Sequence, residues 1–151
     1  MNLDRRWWIA IGVVVVVLVA LVVSRTFFRG PPQECGPVQE LLDYNRAQSA
    51  AIESKFADSQ GIPDASEEAA YQAWADGLAD RAQNVSAPEL ARTAGQVANL
   101  ADEFVSEMAT VRAQADARAP GAPAPPAVYE LAGLNEMITR KLAELSDACS
   151  G

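Results

Sequence analysis

Apolar residues form two kinds of pattern along this chain: one continuous run near the N-terminus and a series of helical repeats after it. The run WWIAIGVVVVVLVALVV, at residues 7–23, contains no charged side chain. Extended to Phe28 it is 22 residues long. An α-helix of that length rises about 33 Å, enough to cross the hydrocarbon core of a bilayer. We therefore predict a transmembrane helix over residues 7–28. Its interface anchors are the aromatic residues Trp7, Trp8, Phe27 and Phe28.

A cleavable signal peptide is the alternative explanation of this run, with Val22 and Ser24 as a weak cleavage signature. The apolar stretch is longer than the core of about 7–15 residues typical of a signal peptide, and Arg25 and Arg29 follow it directly. We therefore predict an uncleaved anchor. Arginines flank the run on both sides, so the positive-inside rule hardly distinguishes the two possible orientations of the predicted helix in the membrane. The short tail at residues 1–6 favours a cytoplasmic N-terminus and an extracytoplasmic C-terminal domain.

Beyond a linker at residues 29–36, apolar positions recur at spacings of three and four, which predicts four amphipathic α-helices and no strand. The turn-rich segments DSQGIPD (58–64) and PGAPAPP (120–126) separate helices. The simplest arrangement is an antiparallel, up-down-up-down four-helix bundle over residues 37–149. The fold class we predict is all-α: an N-terminal transmembrane helix followed by an extracytoplasmic bundle.

The helix starts carry local signals. The first helix has Pro37 in its first turn. The second and third begin at capping boxes, in which Asp64 precedes Glu67 and Ser86 precedes Glu89 by three residues. The third is predicted to extend to about Ala119, and the fourth to Cys149. The predicted inner faces are Val38, Leu41, Leu42, Asn45, Ser49, Ile52 and Phe56 in the first helix; Tyr71, Trp74, Leu78, Ala82 and Val85 in the second; Leu90, Ala94, Val97, Ala101, Phe104, Met108 and Val111 in the third; and Val128, Leu131, Asn135, Ile138, Leu142 and Leu145 in the fourth.

The two cysteines lie at the start of the first helix and the end of the fourth, which share one end of such a bundle. The residues Pro32, Gln33 and Glu34 before Cys35 are unlike the small apolar box of a lipidated bacterial cysteine. A reactive thiol calls for basic neighbours, and a zinc site needs more ligands than two cysteines provide without histidine. We therefore predict a disulfide between Cys35 and Cys149. It implies an oxidising compartment, outside the cytoplasm.

This disulfide predicts a register between the first and fourth helices. Antiparallel neighbours bonded at Cys35 and Cys149 bring together residues whose numbers sum to about 184, and the inner faces of the two helices then meet in phase. Polar Ser49 would lie opposite polar Asn135 inside the bundle, as buried polar groups require. The other predicted pairs are Leu42 with Leu142, Asn45 with Ile138, Ile52 with Leu131, and Phe56 with Val128.

The charge is strongly negative beyond the linker. Residues 35–149 contain 18 Asp or Glu and 8 Lys or Arg, a net charge of −10. Such a domain does not bind nucleic acid through its phosphates, and anionic lipid head groups repel it. Its contact with membrane lipid is therefore assigned to the anchor.

The chain lacks the usual catalytic chemistry. It has no histidine, no Gly-rich phosphate loop and no serine in a GxSxG setting. We predict no catalytic, cofactor-binding or metal-binding residues. The carboxylate pairs are interpreted as a solvated acidic surface: Glu103 with Glu107, Asp76 with Asp80, and Glu67 with Glu68.

Two further features have competing interpretations. Tyr71, Trp74 and Phe104 could line a ligand pocket, but aromatic residues at helical spacing are more often core. Asn84-Val85-Ser86 matches a glycosylation acceptor, whereas Ser86 also fits a helix cap, the interpretation we favour.

The Ala/Val-rich composition, the short basic tail, the anchor and the two-cysteine helical domain resemble small cell-envelope proteins of actinobacteria. Some of that group are accessory subunits of respiratory supercomplexes, so the resemblance implies an accessory role at the outer face of a membrane protein complex, with a respiratory complex as a candidate partner. This non-enzymatic role in the plasma membrane is the function we expect. The alternative is an extracytoplasmic small-molecule or lipid carrier with a cavity in the helical bundle.

Overall fold

A computed structural model describes residues 33–57, 63–119 and 121–150. Within these ranges the chain is all-α, without strands, and forms four α-helices: α1 (Gly36–Lys55), α2 (Ala65–Ala82), α3 (Pro88–Asp116) and α4 (Pro126–Ala148). A short 3-10 helix, Gln33–Cys35, precedes α1 inside the predicted linker. The all-α class and the four helices predicted from the sequence are confirmed.

The predicted anchor at residues 7–28, with Trp7, Trp8, Phe27 and Phe28, lies outside the described residues, as do the tail at 1–6 and the first part of the linker. None of the helices in the described ranges combines the length and apolarity needed to cross a bilayer. The transmembrane segment therefore stays a prediction.

The start of α2 follows its sequence signal, and the start of α3 does not. The Asp64 carboxylate accepts hydrogen bonds from the backbone N–H groups of Ser66 and Glu67, both at 2.8 Å, so it caps α2 as predicted. By contrast, α3 begins at Pro88 with Ala87 at its N-cap and no side-chain cap. The predicted cap at Ser86 is wrong, because the proline in the first turn has no N–H to satisfy and its fixed φ already suits a helix. The acceptor interpretation of Asn84 stays a prediction.

The third helix is the longest of the four and carries the cleanest buried stripe. It ends at Asp116, a few residues before the predicted Ala119. The chain then turns toward α4, where the Arg118 guanidinium donates to the Pro123 carbonyl at 2.6 Å and Gly121 has a φ of +84°. Such a φ favours glycine, which has no Cβ to clash. The fully buried positions of the α3 stripe are Ala94, Val97, Ala101, Val105, Met108 and Val111.

Consecutive helices pack side by side, and cross-helix contacts show their direction. Glu68 of α2 pairs with Arg112 of α3, while Tyr71 of α2 contacts Phe104. Since the residue numbers rise in α2 as they fall in α3, the two helices are antiparallel. The fourth helix packs mainly on α3 and approaches α1 at few positions. The bundle is therefore well packed along three of its seams and open along the fourth, between α1 and α4.

The predicted burial of Ser49 and Asn135 between α1 and α4 requires a correction. Both residues are exposed rather than paired inside the bundle. Asn45 accepts a hydrogen bond from the Trp74 indole N–H of α2. The buried face of α4 is Ala127, Leu134, Ile138 and Leu145. That face turns toward α3, because α3 offers the broad apolar surface that α4 must cover.

Candidate functional site

The two cysteines form the predicted disulfide. Cys35 lies directly before α1 and Cys149 directly after α4, with their Cα atoms 5.6 Å apart and 114 positions between them in the sequence. This distance is typical of disulfides. Both cysteines are almost fully buried. The bond joins the first and last helices at one end of the domain.

Beyond this end, α1 and α4 leave a cleft between them. Its volume is about 360 Å³, within the range of small-molecule sites. Ile52 of α1 and Phe56, directly after α1, form one wall, and Asn135 of α4 lies on the other side. The back of the cleft consists of residues of α2 and α3, so all four helices contribute to it.

Three aromatic rings form the back of the cleft. Tyr71 and Trp74 of α2 and Phe104 of α3 contact one another, with ring centroids 5.4 to 6.1 Å apart and planes inclined by 53° to 89°. Trp74 is buried, as its core interpretation predicted, while Tyr71 and Phe104 are half-buried and line the cleft. Edge-to-face packing of this kind stabilises aromatic pairs beyond their buried area.

A hydrogen bond fixes the tryptophan of this cluster. The Trp74 Nε1–H donates to Asn45 Oδ1 of α1 at 3.0 Å. A buried indole N–H without a partner would cost about 1–3 kcal/mol, so Asn45 holds Trp74 in place and α1 against α2. A neighbouring contact acts in the same way: the Tyr44 hydroxyl donates to the Ala73 carbonyl at 2.9 Å.

Acidic side chains stand at the mouth of the cleft. Glu53 of α1 and Glu67 of α2 both belong to its lining, and no Lys or Arg does. Their negative charge is felt by the phenol of Tyr71. Burial, followed by repulsion from Glu67 and Glu53, raises the pKa of Tyr71 above its usual value of 10.0, because each disfavours the phenolate. The cleft thus combines an aromatic back with a negative electrostatic potential.

A second, shallower groove of about 410 Å³ lies beside the disulfide. Gln39, Leu42 and Arg46 of α1 face Ser146 and Ser150 across it. Arg46 is paired with Asp43 on its own helix. This groove has no aromatic residue and no unbalanced charge, so it offers less to a ligand than the aromatic cleft does.

The carboxylates singled out in the sequence lie apart from the cleft, except Glu67. Asp76 and Asp80 are exposed on α2, and Glu103 is exposed on α3. Glu107 differs from the predicted solvated surface: it is half-buried, and its Oε1 is buried without a hydrogen-bond partner among the described residues. In the part of the chain that the structure describes, no three His, Cys, Asp or Glu residues converge as a metal site would need.

One face of α4 carries exposed apolar side chains. Tyr129 is 73 % exposed and Met137 is 40 % exposed, and they are the large hydrophobic residues that stand out to solvent within the described ranges. They lie two turns apart on the same side of the helix, with Gly133 between them. Neither residue falls on a predicted inner face, so the apolar pattern along the chain contained no signal for this surface.

A ligand pocket was only the less favoured interpretation of Tyr71, Trp74 and Phe104, although the sequence contained a further signal for the cleft. Ser49 and Asn135 interrupt the apolar faces of α1 and α4 at corresponding levels, which was interpreted as a buried polar pair. Both line the open cleft. Two polar residues at the same level of facing stripes can indicate a solvent-filled gap as readily as a hydrogen-bonded pair.

No protein-family model, curated protein or solved structure matches this chain. Arguments about its function therefore rest on its own residues.

Proposed function

We propose that this chain is a non-enzymatic, single-pass membrane accessory protein that docks an acidic helical domain on the outer face of a membrane protein complex. The observation that carries this proposal is the exposed pair on α4, Tyr129 at 73 % and Met137 at 40 % exposure. Tyrosine and methionine are enriched at protein interfaces. Tyrosine offers a large contact area at little cost in conformational freedom, and methionine adapts to the shape of a partner.

The rest of the chain supports the location of this docking surface. An anchor at residues 7–28 would keep the domain close to the bilayer, where membrane proteins are its neighbours. The Cys35–Cys149 disulfide is typical of an oxidising compartment, which supports an extracytoplasmic position of the domain. The resemblance in layout to actinobacterial accessory subunits makes a respiratory complex a candidate partner.

The test is crosslinking followed by affinity purification from native membranes in a mild detergent. We expect a specific membrane protein complex to co-purify, and the double variant Tyr129→Ser, Met137→Gln to reduce its yield several-fold, because interface anchors of this kind dominate binding. The matched control is Gln96→Ala with Asn99→Ala, two exposed positions on α3. A chain that purifies as a lone monomer and crosslinks to nothing would refute the proposal.

A small-molecule or lipid carrier is the second candidate, favoured by the cleft of about 360 Å³ with its aromatic back. Here the space is a cleft open between α1 and α4 rather than a cavity enclosed in the bundle. Native mass spectrometry of the chain released from mild detergent tests this candidate. A retained molecule that Trp74→Ala removes would support it.

A further inference from the structure

The aromatic cleft has the elements of a cation site. The rings of Tyr71, Trp74 and Phe104 pack against one another in three different planes. All three line the cleft, and Phe56, directly after α1, adds a fourth ring to the lining. The face of an aromatic ring attracts a cation, most strongly where several rings surround it and water is partly excluded. An apolar molecule without charge would use only the hydrophobic part of this surface.

The charges around the cleft favour a positively charged ligand. Glu53 and Glu67 line the cleft, and no Lys or Arg does. Lys55 lies over the Phe56 ring, with its Nζ 5.1 Å from the centroid, and is not part of the lining. Burial, and after it repulsion from Glu67 and Glu53, raises the pKa of Tyr71. A potential that disfavours a phenolate disfavours a fatty-acid carboxylate or a phosphate in the same place and favours a positive group.

The side chains that line the cleft determine which kind of cation it can bind. Hard metal ions need several converging oxygen atoms, and the described residues contain no group of three acidic or metal-binding side chains. Aromatic walls with two carboxylates at the mouth suit an ammonium group attached to an apolar body, which loses little hydration on entering. The volume accommodates a molecule of roughly drug-fragment size.

We propose that the cleft between α1 and α4 binds a small organic cation, with its ammonium group against the cleft-lining sides of the Tyr71 and Phe104 rings and near the carboxylates of Glu53 and Glu67. This inference rests on the carrier candidate and assigns the chemical class of its ligand. It does not depend on docking through Tyr129 and Met137.

The fluorescence of Trp74 can report the binding of a ligand in the cleft. The chain has three tryptophans, so the variant Trp7→Phe, Trp8→Phe leaves Trp74 as the sole indole of the full chain. This variant, purified oxidised in a neutral detergent, is titrated with choline and with 3,3-dimethylbutan-1-ol, the uncharged carbon isostere of choline. We expect saturable Trp74 fluorescence changes with choline and affinity about tenfold weaker for the alcohol.

Charge and ring variants locate the site. Glu53→Gln with Glu67→Gln is expected to weaken choline binding about tenfold, and Tyr71→Leu to weaken it several-fold. The control Glu103→Gln, an exposed carboxylate of α3 outside the cleft, is expected to leave the affinity within about twofold.

Each outcome is decisive. Equal affinity for choline and the alcohol would show that the cleft does not select a cation. The cleft would then still be a binding site for apolar molecules. Saturable binding that ignores Glu53, Glu67 and Tyr71 would overturn the location. If neither probe binds and native mass spectrometry finds no retained molecule, both this inference and the carrier candidate fall, and the docking proposal is unaffected.

Discussion

Gly77 determines how closely α1 and α2 approach each other. A Cβ at this position would lie 2.0 Å from the Tyr44 hydroxyl oxygen and 2.3 Å from Tyr44 Cζ. Tyr44 occupies that space while its hydroxyl bonds to Ala73 and its ring lies 3.7 Å from the Arg81 guanidinium. The glycine is therefore retained inside a helix, at the expense of helix propensity, because it makes room for a ring from the neighbouring helix.

We expect Gly77→Ala to destabilise the domain by about 1–3 kcal/mol, since the clash with a held ring outweighs the gain in helix propensity of up to about 1 kcal/mol. Urea unfolding of the oxidised chain, followed by circular dichroism, measures the change. Gly95→Ala is the matched control: no atom lies within 4 Å of its added Cβ, so it is expected to stabilise slightly. Equal effects of the two substitutions would contradict the packing described for Tyr44.

Tyr71 gives the domain a pH dependence at the alkaline end. Its pKa is raised in the folded chain above the ordinary 10.0 by burial, Glu67 and Glu53. The unfolded chain therefore releases the phenol proton at a lower pH than the folded chain does. Its contribution to stability is complete below pH 10.0 and is lost as the pH rises from there through the folded pKa.

We expect the stability of the wild-type chain to fall more steeply above pH 10.0 than that of Tyr71→Phe, which has no phenol to ionise at this site. Denaturant unfolding at a series of pH values tests this. Glu53→Gln with Glu67→Gln is expected to move the pKa of Tyr71 back toward 10.0, observed as phenolate absorbance. Parallel stability curves for wild type and Tyr71→Phe would show that burial and charge do not act on this phenol.

At the scale of elements, the main asymmetry is the seam between α1 and α4. The other three seams are packed along their length, whereas α1 and α4 meet at few positions besides the disulfide end. The first helix also has few buried residues, Val38, Leu41 and Ile52. Its attachment depends on α2, through Tyr44 and Asn45, and on Cys35. The disulfide thus replaces the packing that α4 would otherwise supply.

Reduction of the disulfide is therefore expected to loosen α1 more than α3. Cys35→Ala with Cys149→Ala is predicted to lower the unfolding free energy by up to about 4–5 kcal/mol, the chain-entropy value for so long a loop. Hydrogen exchange shows which helices lose stability. The amides of α1 should exchange faster, while those of α3 keep most of their protection. Uniform loss over all four helices would show that α1 is no more weakly attached than the rest.

The positions of the helices could be predicted from the sequence, because their signals are local. The Asp64 cap, Pro37 in the first turn of α1 and the spacing along α3 all act within a few residues. The buried face of α4 could not, since Leu134 and Asn135 are neighbours on the helix surface and only the position of α3 decides which of them is buried. The predicted helix cap at Ser86 was wrong because Pro88, two residues later, also suits the first position of a helix, and α3 begins there.

The candidate site was harder to predict because it is assembled from all four helices. Tyr71, Trp74 and Phe104 were interpreted as core, and for Trp74 this is confirmed. Their second property, lining a cleft, depends on the separation of α1 from α4. The two helices are separated because α4 packs on α3. The apolar pattern of a single helix does not indicate this packing.

For the whole molecule, the side of the membrane on which the domain lies can be tested with two residues. Lys55 and Lys141 are the only lysines in the chain. Lys55 is exposed, whereas Lys141 is half-buried and paired with Glu144 at 2.8 Å. We expect a membrane-impermeant amine reagent to label intact cells at Lys55 in preference to Lys141, because the domain is predicted to face outward.

The variant Lys55→Arg with Lys141→Arg keeps the charge and removes both targets, so it is expected to abolish labelling of the domain in intact cells. Mass spectrometry of the tagged chain measures the modification. Labelling of the lysines only after the cells are lysed would contradict the outward orientation and, with it, the proposed docking on the outer face.

The position of the disulfide also has a mechanical consequence. The chain reaches α1 through Gln33, two residues before Cys35, and Cys35 is covalently joined to the end of α4. Tension from the preceding segment is therefore transmitted to α1 and α4 together instead of peeling α1 away from the bundle. Because α4 has the more extensive packing, the load is carried by the α3–α4 pair. With the predicted anchor at residues 7–28 under tension, the domain would keep its least firmly attached helix in place.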